Sequence, residues 1–393
     1  MNNELKKLMT PMQNEYDKLR PYYDEEVNNA IGELIKDPEF AIFIRHLMQG
    51  QDRKEVYNML KGITSIEEFQ RVFVQPVLDR IIKNSMDVLT CSGIDRVDKK
   101  ETYIFITNHR DIVLDSSLLN LLLFKQGYNT TQVAIGGNLL ISPMITNLVR
   151  INKSFIVKRN IPPRELYEYS KLLSSYIAYT LSERNESVWI AQREGRSKDG
   201  SDKTQYSLLK MLAMSHEGEE RDIFMKMNIF PVALSYEYDP CDIFKAVELF
   251  LIANSGSFKK TKEGDFQSMI TGILGYKGRV EISFSSPLTS NDFDKLNDFH
   301  GNDFLKGLAG IIDNRIYCAY KLWDTNYIAY DLLNGTAVFS EKYSEESKEK
   351  FIDYLKEKSD KLDEVYPKRD ILNLMLNMYA NPIKNKLAEN IPV

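Results

Sequence analysis

Between about residues 100 and 290, short β-rich runs alternate with segments of helical length, and this alternation limits the possible folds more than any other feature of the chain. Tyr103–Thr107 (YIFIT) is apolar and rich in aromatic and β-branched residues, as a buried strand requires. Asp115–Phe124 then predicts a helix. Thr131–Ile135 (TQVAI) predicts a second strand, followed by Gly136 and Gly137, and Phe155–Lys158 is a short extended piece. Pro162 and Pro163 precede a helix over Glu165–Ser182, where proline fits the first turn. Ser187–Gln192 predicts another strand and Thr204–Met214 another helix. Asn228–Tyr236 and Gly278–Phe284 predict two further strands. The expected fold is α/β, with a mostly parallel central sheet flanked by helices. Residues 1–90 form an expected helical N-terminal region, with apolar positions at helical spacing in Ile31–Ile35, Phe40–Met48 and Val72–Ile82. Residues 91–290 form the expected α/β domain, and residues 291–393 an expected helical C-terminal region.

Composition narrows the function classes. With 43% hydrophobic and 27% charged residues the chain can build a sizeable core. A net charge of -5 argues against a nucleic-acid partner, which would call for a basic domain. The three cysteines, Cys91, Cys241 and Cys318, have neither metal-ligand spacing nor a disulfide pattern. The first twenty residues are too polar for a signal peptide. No apolar run reaches the roughly 18 residues of a spanning helix. A cytoplasmic protein is expected, touching the inner face of the cell membrane only peripherally. Leu139–Val149, flanked by Arg150, Lys153, Lys158 and Arg159, could lie in such an interface or serve as ordinary core.

Four short blocks could carry chemistry. In the first, Asn108-His109-Arg110-Asp111 and then Asp115 follow the strand Tyr103–Thr107. Ligands of open α/β sheets bind at the carboxyl ends of strands. Histidine is the usual general base near neutral pH, and a carboxylate can fix its tautomer. Equally, Asp111 or Asp115 could cap a helix and His109 could be a loop residue. The second block, Ser154–Asn160, ends on two cations, Lys158 and Arg159, which suit a phosphate or a solvated strand end. The third runs from Ala191 through Gln192, Arg193, Glu194, Gly195, Arg196 and Ser197 to Gly200. Its arginines could grip phosphate and its glycines allow close backbone approach. The fourth, Ile229–Glu237 with Pro231, reads as a core strand.

Taken in order, these blocks resemble the phospholipid and glycerol acyltransferase superfamily. That family has an NH-x4-D block, a G-x-x-F-x-x-R block, an E-G-x-R-S block and a strand with proline. Here they correspond to Asn108-His109 with Asp115, Phe155 with Lys158 and Arg159, Glu194-Gly195-Arg196-Ser197, and Pro231. His109-Arg110, Arg196–Gly200 and Ser235-Tyr236-Glu237 are similar to the glycerol-3-phosphate and dihydroxyacetone-phosphate branch. The spacing departs from the family: five residues separate His109 from Asp115, where the family has four. Asp115 is preferred over Asp111 as the partner, because the apolar run behind it matches the family's helix.

The resemblance implies transfer of a fatty-acyl group from an acyl thioester, either acyl-CoA or acyl carrier protein. The acceptor would be a hydroxyl of glycerol-3-phosphate or a lysophospholipid, in phospholipid biosynthesis and at a membrane surface. His109 would be the base and Asp115 its orienting partner. Asn108, Arg110, Lys158, Arg159, Glu194, Gly195, Arg196 and Ser197 would bind substrate, and a backbone N–H near Glu194–Gly195 could support the oxyanion. The acyl chain would lie beside Gly136–Leu140. No metal or cofactor is implied. Amine acceptors such as an amino-acid lipid, and a catalytically silent lipid-binding relative, are the alternatives. A hydrolase lacks its G-x-S-x-G elbow.

Overall fold

The computed structural model describes residues 15–47, 52–259 and 261–393. Residues 1–14, and Met48 at the end of the expected helical run Phe40–Met48, lie outside the described residues. The centre is a seven-stranded sheet in the order β1-β7-β6-β2-β5-β3-β4. Its strands are β1 (Val88–Ser92), β2 (Ile104–Thr107), β3 (Gln132–Gly136), β4 (Ser154–Val157), β5 (Val188–Ala191), β6 (Ile229–Tyr236) and β7 (Arg279–Phe284). All neighbouring pairs are parallel except β6 with β7. The expected α/β class holds. Two features differ from the sequence reading: β1 begins where the helical N-terminal region was expected to continue, and β7 runs antiparallel to β6.

Alternation along the strands divides the core between the two sheet faces. Phe105, Phe230, Val232, Leu234 and Ile282 face one side. There they meet the helix Leu114–Lys125 and the N-terminal helices, including Asp24–Lys36 and Gln75–Ser85. Ile104, Ile106, Val188, Ile190 and Ala233 face the other side, with the helices Pro163–Ser182, Tyr206–Ala213 and Gly301–Ala319. The C-terminal helices Asp324–Asn334, Glu345–Asp360 and Lys368–Ala388 bury Ile328, Phe351, Ile371 and Met375 in a third cluster, with Ala246 of the helix Asp242–Ser255.

The N-terminal helices are tied to the sheet as well as packed on it. Gln70 accepts a hydrogen bond from Thr130 Oγ1 at 2.9 Å and donates one to Asn152 Oδ1 at 3.0 Å. It opens a π-helical turn, Gln70–Val74, directly before Gln75–Ser85. Such a turn rotates the residues that follow it around the helix axis. Phe73, Val77, Leu78 and Ile81 all reach the same cavity above the sheet.

Candidate active site

Strand order explains why blocks distant in sequence meet. β2 lies between β5 and β6, with Thr107 opposite Ala191 on one side and Val232 on the other. The loops after β2 and β5 therefore leave the same carboxyl edge. β3 and β4 end there too, with Gly136 opposite Val157.

At this edge His109 Nδ1 lies 2.8 Å from Asp115 Oδ2. The same oxygen accepts the backbone N–H groups of Arg110 at 2.6 Å and Asp111 at 3.0 Å. The other oxygen, Oδ1, accepts the Tyr236 hydroxyl at 2.9 Å. The Asp115 side chain is only 1% exposed. Because both oxygens act as acceptors, Nδ1 carries the proton in neutral His109, and the Nε2 lone pair is left free. Nε2 has no hydrogen-bond partner among the described residues, and His109 lines the cavity. The edge of the Trp189 ring packs on the imidazole, with centroids 5.9 Å apart at 74°.

Asp111 has a different task. Its Oδ1 accepts the N–H groups of Val113 at 2.8 Å and Leu114 at 2.7 Å, which closes the open start of the helix Leu114–Lys125. Burial, and then the charge of Asp115, raise its pKa. Gly272 makes room for it, since a Cβ at 272 would come within 2.0 Å of Asp111 Oδ2. The extra residue between His109 and Asp115 is thus taken up in a turn that Asp111 holds by its side chain.

The loop backbone is fixed from behind. The Ser197 N–H donates to the His109 carbonyl at 2.8 Å, and the buried Lys245 Nζ donates to the Arg110 carbonyl at 2.8 Å. Ser197 Oγ accepts the Gly200 N–H at 3.0 Å. Ser197 therefore braces the loop and does not line the cavity. Asn108 clips β2 to β6: its Oδ1 accepts the Leu234 N–H at 2.8 Å and its Nδ2 donates to the Leu234 carbonyl at 3.0 Å. Arg110 turns away from the cavity to Asp202, with Nη2 2.5 Å from Oδ2, an oxygen that also accepts the Tyr320 hydroxyl at 2.5 Å.

The cavity has a volume of about 690 Å³ and two unlike ends. Its apolar end is formed by Phe69, Phe73, Val77, Leu148, Met269 and Ile273, among others. Its charged end carries Arg159, Arg193, Glu194, Arg196, Lys198 and Lys262. Arg159 pairs with Glu194 there, and Gly136 leaves it space, since a Cβ at 136 would lie 3.1 Å from Arg159 Nε. Lys158 points the other way, as alternation along an extended chain demands. It is exposed, over the Tyr169 ring at 5.4 Å. Gly195 has φ +72°, a left-handed backbone suited to glycine. The Glu194 N–H is bound to Gln205 Oε1 at 2.7 Å, so it does not face an oxyanion. Nη1 of Arg196 is buried without a hydrogen-bond partner. A buried guanidinium N–H left unpaired is costly unless a ligand accepts it.

Of the ten residues singled out from sequence, His109, Arg159, Glu194, Gly195 and Arg196 line the cavity, and Asp115 holds His109 from below. Asn108, Arg110, Lys158 and Ser197 do not line it. The cavity reaches Gly136, Asn138 and Leu139, in the stretch Gly136–Leu140 where an acyl groove was expected, and extends much further, along Gln75–Ser85, Pro143–Ile151 and Lys262–Leu274. Leu139–Val149, the segment considered for a membrane interface, places Leu139, Met144, Ile145, Leu148 and Val149 in the lining of the cavity. No helix among the described residues is long and apolar enough to cross a membrane.

Tyr236 was missed as a functional residue. Burial, and next the nearby carboxylates of Asp115 and Asp111, hold its hydroxyl protonated and so a permanent donor. Tyr236→Phe should lower kcat about tenfold with little change in KM, because a hydrogen bond to a charged group contributes about 1.5–3 kcal/mol. Steady-state kinetics on the folded variant checks this, and unchanged kcat would remove Tyr236 from the site.

No curated protein matches the sequence. Among solved structures, that of the 1-acyl-sn-glycerophosphate (LPA) acyltransferase PlsC from Thermotoga maritima is similar at 13% identity. The similarity covers 74% of this chain and 97% of that one, with a TM-score of 0.34. Residues 88–235, from β1 to the penultimate residue of β6 and including His109, Asp115 and Arg196, match the family model described as Acyltransferase.

Proposed function

We propose that the protein transfers a fatty-acyl group from a thioester, acyl-CoA or acyl carrier protein, to a hydroxyl of a glycerol-phosphate-type acceptor in phospholipid biosynthesis. The observation that carries this reading is the position of His109. Its ring is held by a buried carboxylate, and its free nitrogen faces a cavity that is apolar at one end and cationic at the other. Water would not require the apolar end, whereas an acyl chain would.

In the proposed reaction the acyl chain lies among Phe69, Phe73, Val77 and Met269, which brings the thioester carbonyl to His109. Nε2 takes the proton of the acceptor hydroxyl as the oxygen attacks that carbonyl. Asp115 stabilises the imidazolium that forms. When the tetrahedral adduct collapses, the C–S bond breaks and the imidazolium returns its proton to the departing thiolate. The ester and the free thiol are the products, and no acyl-enzyme is formed. Arg196 and Arg159 grip the acceptor's phosphate, as guanidinium groups commonly do. Action at the inner face of a membrane belongs to the same proposal. The exposed Phe258 and Phe266 beside Lys259 and Lys262 supply a surface suited to it.

Arg196→Ala should raise the acceptor KM about tenfold or more, the loss of one charge-assisted hydrogen bond, while the donor KM stays within about twofold. Varying each substrate at saturating levels of the other measures this. A rise in the donor KM alone would move Arg196 to the donor's site.

A further inference from the structure

A second cavity, of about 490 Å³, adjoins the first. The two share Arg196, Lys198, Thr261 and Asp265. Its remaining walls come from the helices Asp242–Ser255, Lys262–Leu274 and Glu345–Asp360 and from the segment leading to Tyr366. Much of it therefore lies outside residues 88–235, and the reaction described above makes no use of it.

The charges around this cavity are of both signs. Lys198 is paired with Glu248, Lys358 lies 3.3 Å from Asp242, and Lys361 lies 2.7 Å from Glu357. These pairs largely neutralise one another. Two groups at the junction are left. Arg196 lies in the field of the buried Asp111 and Asp239 but makes no salt bridge among the described residues and keeps a buried Nη1 unpartnered. Asp265, half-buried, has no ion pair or side-chain hydrogen bond among the described residues. Beyond them stand three aromatic rings, Phe244, Phe258 and Tyr366.

An unpaired guanidinium next to an unpaired carboxylate and aromatic faces suits a ligand carrying both charges. A purely anionic ligand, such as the triphosphorylated end of a nucleotide thioester, would meet in the same walls the carboxylates of Asp265 and Asp363, which have no ion-pair partner among the described residues. An ammonium group is attracted both to a carboxylate and to aromatic faces. We infer that the second cavity takes the ammonium end of a zwitterionic phosphodiester headgroup, of the phosphoethanolamine or phosphocholine kind. The phosphate sits on Arg196, and the amine lies between Asp265 and the aromatic rings. Resting on the acyl-transfer reading, this makes the preferred acceptor a zwitterionic lysophospholipid, with its free hydroxyl at His109.

Binding tests this apart from turnover. Calorimetry on the full chain should show glycerophosphoethanolamine binding about tenfold tighter than glycerol-3-phosphate, the ratio that about 1.4 kcal/mol of ammonium contact would give. Asp265→Asn should bring the two affinities together by weakening only the amine-bearing ligand, and Phe244→Leu should weaken it a few-fold. Equal affinities in the wild type would overturn the inference, and so would an Asp265→Asn loss shared equally by both ligands. Failure of the acyl-transfer reading would show itself separately, as headgroup binding without transfer from any thioester donor to any acceptor.

Discussion

Replacing His109 with alanine should lower acyl transfer by about 10²–10⁴-fold, the usual contribution of general-base assistance, and leave the fold intact. The imidazole is a loop side chain at the sheet's carboxyl edge, and its loss opens space toward a cavity that is already present. Its partner Asp115 keeps three other donors, the N–H groups of Arg110 and Asp111 and the Tyr236 hydroxyl, so the carboxylate is not abandoned. The melting temperature should therefore change little while kcat falls. Circular dichroism and single-turnover rates on the same preparation separate the two effects. Near-normal turnover in His109→Ala would mean that another group takes the acceptor's proton.

Arg110→Ala should do the reverse. Although Arg110 adjoins His109 in sequence, its guanidinium is a buried partner of Asp202. Asp202 is fully buried, has φ +44°, and already has one oxygen without a partner. Removing the arginine leaves that carboxylate with only Tyr320 and a long contact to Asn108 Nδ2 at 3.3 Å. Breaking a buried pair in this way typically costs about 3–5 kcal/mol. Chemical denaturation should show a loss of that order, and the protein that remains folded should keep an acceptor KM near that of the wild type. A large KM increase at unchanged stability would instead place Arg110 on the substrate.

These two residues also show how far sequence alone reaches. Asn108, His109, Arg110, Glu194 and Ser197 stand out as polar residues after apolar runs, and both runs are neighbouring parallel strands of one sheet. That was legible, as were the α/β class, the strands β2 to β7 and the helices that follow β2, β4 and β5, whereas the helices Pro143–Ile151, Glu220–Lys226, Asp242–Ser255 and Lys262–Leu274 were not read from the sequence. Which of these polar residues face the cavity was not legible. The direction of a side chain in a loop depends on contacts with distant residues. Arg110 turns to Asp202, 92 positions on, and Asn108 to Leu234, 126 positions on. The choice between Lys158 and Arg159 rests on where β4 ends and on Tyr169, whose hydroxyl accepts the Lys158 N–H at 2.8 Å. β1 was hidden for another reason. It is an edge strand with alternating exposure, directly after a helix, and lacks the apolar run of a central strand.

The N-terminal helices had no visible chemistry in sequence, because their contribution is a wall of phenylalanine and aliphatic side chains. Amphipathic spacing signals only that a face is buried, whether against core or against a ligand. Tyr236 could have been noticed. Its neighbours Ser235, in β6, and Glu237, directly after it, also carry polar side chains, an unusual run of polarity at the end of a buried strand. It lies four residues beyond Val232, the partner of Thr107, and so reaches past the end of β2 to the loop that holds Asp115.

The most direct test of the account is release of free thiol from an acyl thioester by the purified protein, followed with and without a glycerol-phosphate-type acceptor. Direct transfer assisted by His109 predicts thiol release only when acceptor is present, one ester formed per thiol, and no burst in its absence. A stoichiometric burst without acceptor, or no thiol release with any donor and acceptor, would contradict it.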